Sequence, residues 1–479
     1  MLFNSLPFLV FFVVVYGLYR ATMRRLLLQN GILLAASWFF YGWWDWRFLS
    51  LLSVSTVVDY AAGRLLDRRA PGTGEDGPYA LSPGKRRAVL GVSIGAGLAM
   101  LGLFKYWNFF AESAVDLLGS LGFQAHAPTL AIVLPAGISF YTFQTMSYTI
   151  EVYQGKMRQE RSLLNFALFI SFFPHLVAGP ILRASILLPQ FRRPRTITRG
   201  HMEDGAWLVF WGLFKKIFVA DNLARVAVLG FVSPVENGGV ALASVYAFAF
   251  QIYGDFSGYT DIARGLAKTM GIELVRNFDL PYFATDPGDF WRRWHMSLSS
   301  WLRDYLYIPL GGNRKGTLRT YLNLMLTMVL GGLWHGAAWT FVAWGTFHGV
   351  LLAGHRAWAG ASPAAGAAGS PWSAWGKRIV LFHFVCVSWL LFRADSLGQA
   401  MQMLSAIFGE FSFRNARFDS VLFYALPLLA VQALQWKAGD EFAIRRVPWI
   451  PRALVYAGIW FLMTLLGDYS GGQFIYFQF

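Results

Sequence analysis

The stretch Leu324-Met325-Leu326-Thr327-Met328-Val329-Leu330-Gly331-Gly332-Leu333-Trp334-His335-Gly336-Ala337 decides how this chain is read. An apolar run ends in a histidine set among glycines. If the run lies in lipid, an ionisable ring at its end is costly and marks a functional site by default. A second histidine stands forty residues earlier, in Asp289-Phe290-Trp291-Arg292-Arg293-Trp294-His295-Met296-Ser297. The first question is whether a bilayer surrounds them.

Composition says that it does. Of 479 residues, 56% are hydrophobic and 17% aromatic, and only 14% are charged, against roughly 25% in a soluble domain. The net charge of +15 comes from short basic clusters between apolar runs. That is the pattern of cytoplasmic loops under the positive-inside rule, without the basic stripe or stacking module of a nucleic-acid binder. Lipid is the expected partner and nucleic acid is not. The single cysteine, Cys386, can form no intrachain disulfide and reads as an apolar filler. No histidine pair or cysteine spacing forms a metal-ligand motif, so no metal and no tightly bound cofactor is expected. The first nineteen residues carry no Lys or Arg, whereas Arg20, Arg24 and Arg25 follow. This is the reverse of a cleavable signal, and residues 3–19 read as a retained helix.

Apolar stretches able to span a bilayer lie near 3–19, 26–44, 48–63, 88–110, 129–153, 205–231, 240–258, 318–334, 337–354, 378–393, 421–436 and 453–469. The fold class predicted is an all-α polytopic membrane protein. It has about 11–12 transmembrane helices with re-entrant and interfacial helices around a central funnel or tunnel. The loops test the orientation. Residues 64–87 hold Arg64, Arg68, Arg69, Lys85, Arg86 and Arg87 against three acids and belong in the cytoplasm; 111–128, with Glu112, Asp116 and no Lys or Arg, belong outside. Lys156, Arg158 and Arg161 return to the cytoplasm.

Residues 163–181 are apolar with basic residues on both sides, and Pro174, Gly179 and Pro180 break them. A re-entrant hairpin fits, provided its irregular backbone lines protein. Residues 261–317 carry too many charges to span. Within them Phe290, Trp294, Leu298, Trp301 and Tyr305 recur as an apolar helical stripe. Arg292, His295, Ser299 and Arg303 fall on the opposite arc, predicting one helix with a polar face turned to a cavity and ended by Pro309, Gly311 and Gly312. Residues 360–376 read as a low-complexity linker dividing a core, 1–359, from C-terminal helices, 377–479. No internal repeat points to a transporter of duplicated halves.

His335 is the leading candidate for chemistry. Imidazole exchanges a proton near neutral pH, and Gly331, Gly332 and Gly336 leave room for a thioester or hydroxyl. The alternative is a helix-packing histidine. His295 sits among Arg292, Arg293 and Arg303, cations that oppose imidazolium, so it is placed to orient His335 or substrate. Its alternative is a headgroup contact. Arg292, Arg293, Ser299, Arg303, Asn313 and Arg314, with Trp334 and Gly336, are candidates for holding a phosphate-bearing donor, although loops basic merely for topology have the same composition. His175 and Asp255 are candidates to line a cavity, and Asp255, like Asp261, reads equally as a buried carboxylate in need of a cation. His348 and His355 read as packing and helix-end residues.

Leu134 to Tyr141, Phe173 to Pro180, Gly254 to Asp261, Asp289 to Gly312 and Gly331 to Ala337 together resemble the membrane-bound O-acyltransferase family, in the bacterial branch that includes the alginate O-acetylation membrane subunit. The resemblance implies a helical funnel through the membrane, with His335 as the family's catalytic histidine and His295 as the second histidine of the branch. It implies an acyl thioester, acetyl-coenzyme A foremost, as co-substrate from the cytoplasm. The acceptor then lies outside, with a periplasmic acetyltransferase or esterase-like partner completing O-acetylation of a polysaccharide, and the chain lies in the bacterial inner membrane. D-alanyl transfer and peptidoglycan acetylation are alternatives within the class; a lipid-linked sugar transporter is the alternative outside it.

Overall fold

The computed structural model describes residues 1–67, 81–131, 133–177, 179–232, 235, 237–361, 370–470, 472, 474 and 475. Among these the regular elements are all helical, and each of the twelve apolar stretches coincides with a helix or a helix interrupted by a π turn. Among the described residues, five helices are long and apolar enough to cross a membrane on those grounds alone: Phe48–Leu66, Pro83–Ser120, Trp372–Arg393, Phe418–Ala438 and Trp449–Leu466. The chain is a multi-pass membrane protein. Other helices are shorter or bury polar residues in protein. Ile138–Tyr153, for example, buries Thr142, Gln144, Thr145, Ser147, Thr149 and Glu151.

Two compact units emerge, residues 1–206 with 263–275, and residues 207–262 with 276–479. The low-complexity stretch 360–376 falls in sequence between two helices of the second unit. Helices Trp339–Ala361 and Pro371–Arg393 close in on it from both sides, and Ser370 caps the second through the Ser373 amide. Residues 362–369 of that stretch lie outside the described residues, as do Arg68 and Arg69 of the first basic loop. Arg86 of that loop is buried in the Pro83–Leu101 helix, donating to the carbonyls of Leu66 and Tyr153.

In the first unit, Phe48–Leu66, Pro83–Leu101 and Ile138–Tyr153 pack together. The helix predicted from 129 starts only at Ile138. Gly137 stands before it at φ +73°, where a Cβ would lie 2.6 Å from the Leu176 carbonyl oxygen; only glycine tolerates both demands. The apolar 163–181 run is Leu163–Ser171, a break at Phe172 and one turn, Phe173–Leu176, whose start Pro174 permits. The chain then returns through Ala184–Phe191, which packs on Leu163–Ser171. Phe166 to Leu176 are buried throughout, so the irregular backbone is enclosed by protein, as a re-entrant hairpin demands. Arg195 is buried and satisfied by Gln29 at 2.9 Å and by Asn30.

In the second unit the most intimate pair is Thr317–His335 against Trp339–Ala361. A Cβ on Gly332 would lie 2.2 Å from the Phe341 carbonyl oxygen, and one on Gly345 would lie 2.3 Å from that of Met328. Small residues bring the two backbones together, the device by which membrane helices gain packing in lipid. The helix Arg199–Leu213 runs into a π-helical turn, Phe214–Ala220, before Asp221–Gly230 continues. That wider turn buries two consecutive lysines. Lys215 reaches Asp261 at 2.6 Å and Ser257 at 3.0 Å, whereas Lys216 reaches Asp221 at 2.7 Å and Asp255 at 2.8 Å.

Candidate functional site

His335 is the last residue of the Thr317–His335 helix, with extended Gly336 (φ −156°, ψ 150°) turning the chain away. The residue is 4% exposed. Trp334, Trp344 and Phe392 stand edge-on around it, at centroid distances of 5.1, 5.1 and 5.4 Å. The room that the glycines were expected to leave for substrate is taken by protein: a Cβ on Gly336 would enter the Phe341 ring, and Gly332 abuts the Phe341 backbone. Those two glycines serve helix packing, whereas Gly331 meets only the Leu302 side chain, at 3.1 Å.

His295 arrives by a different route. The single amphipathic helix expected across 290–305 does not form. Pro287–Arg293 ends, His295 takes the left-handed conformation (φ 42°, ψ 54°), and Met296–Leu302 begins anew. A non-glycine residue there is strained and persists only when its surroundings hold it. Asn277 and Asp279 do so. The Asp279 amide donates to the Arg293 carbonyl at 2.9 Å, and the Met296 amide donates to that of Asn277 at 2.9 Å. The Asn277 side-chain oxygen accepts from the Ser297 amide at 3.2 Å and hydroxyl at 2.6 Å.

The break swings His295 out of the arc it was expected to share. Its ring is fully buried, edge-on to Phe256 at 4.7 Å and 6.2 Å from the ring of His335. The Arg292 and Arg303 side chains are 69% and 62% exposed. The cations that were to oppose imidazolium are instead engaged by carboxylates. Arg292 lies 3.6 Å from Asp289, Arg293 3.0 Å from Asp289, and Arg303 2.7 Å from Asp304. Ser299 donates to the Trp294 carbonyl at 3.1 Å. Asn313 and Arg314 lie on an exposed turn, and Trp334 is buried beside both histidines.

The remaining candidates sit elsewhere. His175 belongs to the first unit, its Nε2 3.0 Å from the Gln144 amide, while Gln144 donates to the Phe169 carbonyl at 2.9 Å. Asp255 is enclosed by its ion pair with Lys216 and accepts from the Ile475 amide at 2.6 Å. His348 stacks on Phe290 at 5.9 Å, with planes 3° apart, and meets Trp344 at 4.8 Å, so it packs as expected. A cavity of about 30 Å³, the room of roughly one water, opens in the same unit between Trp207, Trp211, Lys215, Asp261, Arg276 and Glu441. Phe278, which also lines it, reaches Phe256 at 5.0 Å, and Phe256 touches His295.

Sequence reasoning passed over Asn277, Trp344 and Phe392, none of which has a motif of its own, and gave no role to Phe256 within the Gly254 to Asp261 stretch. It also passed over Lys215 and Lys216, for which a signal existed: two adjacent cations inside the 205–231 apolar run.

A model of the MBOAT, membrane-bound O-acyltransferase, family matches residues 151–392, a region that takes in both histidines. The chain is 42% identical over 409 residues to the probable alginate O-acetylase AlgI of Pseudomonas putida, covering 85% of this chain and 80% of that one. It is 35% identical over 440 residues to the peptidoglycan O-acetyltransferase of Helicobacter pylori, with the same two coverages. A teichoic acid D-alanyltransferase of Bacillus subtilis is 26% identical over 324 residues, 62% of this chain and 75% of that one. With the polytopic helical fold in which a family-matched segment buries two histidines together, these similarities establish that the chain belongs to the membrane-bound O-acyltransferase family and is an O-acyltransferase.

Proposed function

We propose that this protein moves an acetyl group from a cytoplasmic thioester, acetyl-coenzyme A, across the bacterial inner membrane for O-acetylation of an extracytoplasmic polysaccharide. The observation that carries the reading is the meeting of His295 and His335, forty residues apart in sequence, at 6.2 Å in one aromatic enclosure. The similarity to alginate and peptidoglycan O-acetylating proteins supports the acetyl group and the polymer class.

In this mechanism His335 is the general base. Its unprotonated ring nitrogen takes the proton of an acceptor hydroxyl as that oxygen attacks the thioester carbonyl. The His295 N–H steadies the oxyanion of the tetrahedral intermediate. The intermediate collapses with cleavage of the carbon–sulfur bond, and the His335 imidazolium returns its proton to the departing thiolate. Surrounding rings keep bulk water from competing for the acyl group. In this reading the donor approaches from the side of Arg276 and Glu441, which the neighbouring Arg445 and Arg446 assign to the cytoplasm under the positive-inside rule. Transfer to the polymer is completed by a periplasmic acetyltransferase or esterase-like partner.

The test is transfer by purified protein in lipid nanodiscs, with radiolabelled acetyl-coenzyme A and D-alanyl carrier protein offered in separate arms. Acetyl consumption that disappears in His335→Ala supports the reading. Use of the D-alanyl carrier alone transfers the assignment to the alanylating branch, and full acetyl transfer by His335→Ala removes His335 as the base.

A further inference from the structure

Lys216, Asp221 and Asp255 form an ion cluster that the proposed chemistry does not use, and its cost is considerable. Burying charges is expensive unless each is paired and hydrogen-bonded. The Lys216 and Asp255 side chains are 2% and 3% exposed, and that of Asp221 is 7% exposed. Two further bonds explain what the cluster holds. Lys216 Nζ donates to the Gly472 carbonyl at 3.2 Å, and the second oxygen of Asp255 accepts from the Ile475 amide at 2.6 Å. Both partners follow the Trp449–Leu466 helix. The same stretch is tied to the π turn by the Asp468 amide donating to the Ile217 carbonyl at 3.1 Å, and to the following helix by Arg225 at 2.6 Å from Asp468. Between the two clamped residues sits Phe474, fully buried, its ring 4.5 Å from Tyr259 and 6.0 Å from Phe256. Phe256 is the neighbour of Asp255 on the Gly238–Thr269 helix and the ring against which His295 lies at 4.7 Å.

We infer that the Lys216–Asp221–Asp255 cluster is a positioning device for the histidine pair. It pins the backbone around Phe474 so that Phe474 backs Phe256 and Phe256 fixes the ring of His295. The inference rests on the proposed roles of His295 and His335. Lys216, Asp255, Phe256 and Phe474 are positioning residues and touch no reacting atom. A misplacement of about 1 Å costs on the order of 100-fold in rate, so loosening this chain of contacts lowers turnover and leaves donor affinity unchanged.

The experiment uses the full chain in nanodiscs, with kcat and KM for acetyl-coenzyme A measured on monodisperse Phe474→Ala, Phe474→Leu, Asp255→Asn and Lys216→Met, beside His335→Ala. Expected are a kcat about 10- to 100-fold lower in Phe474→Ala and Asp255→Asn, KM within about twofold, and recovery of most of the loss in Phe474→Leu. If Lys216→Met does not yield monodisperse protein, the two Phe474 variants carry the test. Unchanged kcat in folded Phe474→Ala and Asp255→Asn, with His335→Ala inactive, overturns the positioning role alone; full activity in His335→Ala overturns the catalytic reading on which it rests.

Discussion

Two regions of the molecule bury histidines, and they do so in opposite ways. Around His175 the ring is met by the Gln144 amide, Gln144 is held in turn by the Phe169 carbonyl, and the break at Phe172 has a visible reason in Pro174 and in the close approach of Gly137. One ring nitrogen of His175 thus meets a polar side chain of the Ile138–Tyr153 helix, while its Nδ1 has no partner among the described residues. Around His295 and His335 the near neighbours are rings: Phe256, Trp334, Trp344 and Phe392. One of the two histidines is held in a left-handed backbone that four bonds from Asn277 and Asp279 are needed to fix. Burial of a histidine is therefore a weak sign of chemistry. Convergence of two imidazoles from separate segments, one of them on strained backbone, is a stronger one, because strain and enclosure both cost free energy that packing alone does not require.

The comparison breaks most readily at His335. His335→Ala is expected to lower acetyl transfer by about 10²–10⁴-fold, the range for loss of a positioned general base, with unchanged elution on size exclusion. A variant that folds and keeps its turnover puts both regions in the same class, as packing. His295 gives the next largest effect. Here alanine confounds two losses, since it removes the ring and is also poorly suited to φ 42°. Asparagine tolerates that backbone, so His295→Asn isolates the ring. It is expected to fold with a near-wild-type thermal midpoint and to lose transfer by about 10²-fold, the scale of one oxyanion donor.

Gly332→Ala sharpens the comparison from the side of packing. The added methyl would lie 2.2 Å from the Phe341 carbonyl oxygen, a backbone atom that cannot step aside. The expected cost is about 1–3 kcal/mol, seen as a lowered thermal midpoint, with a loss of transfer per folded molecule of only a few-fold. Were Gly332 instead part of the acyl-binding space, KM would rise while the midpoint stayed in place.

Much of this was legible in the sequence because the bilayer simplifies the reading. Apolar runs long enough to span, with basic clusters between them, gave helices at all twelve predicted places, and Pro174 marked the break near Phe172. The failures share a cause. The stripe of Phe290, Trp294, Leu298, Trp301 and Tyr305 satisfied helical periodicity, yet the chain breaks at His295 because Asn277 and Asp279, which periodicity cannot connect to it, offer better bonds. In the same way Arg292 and Arg303 shared an arc with His295 only on an unbroken helix. The glycines around His335 looked like room for substrate because a sequence does not reveal that Phe341 occupies it. Lys215 and Lys216 stand out as adjacent cations in an apolar run, but the sequence does not show how they are buried. Their burial depends on a π turn, and nothing in Phe214 to Ala220 announces one.

The smallest effect on transfer is expected in the other region, and it decides whether the contrast is real. His175→Leu removes the partner of the Gln144 amide and leaves that group buried beside an alkyl chain, for a loss of about 1–3 kcal/mol in stability. Gln144 keeps its bond to the Phe169 carbonyl, which holds the cost towards the lower end. Transfer by the protein that remains folded should stay within about twofold of wild type. The double variant His175→Leu with Gln144→Leu removes both polar partners together and should recover part of the lost midpoint, since two matched apolar groups can be nearly neutral where one orphaned amide is not. If His175→Leu instead abolished transfer without moving the midpoint, the Gln144–His175 pair would be acting on substrate. His175 would then belong with His295 and His335.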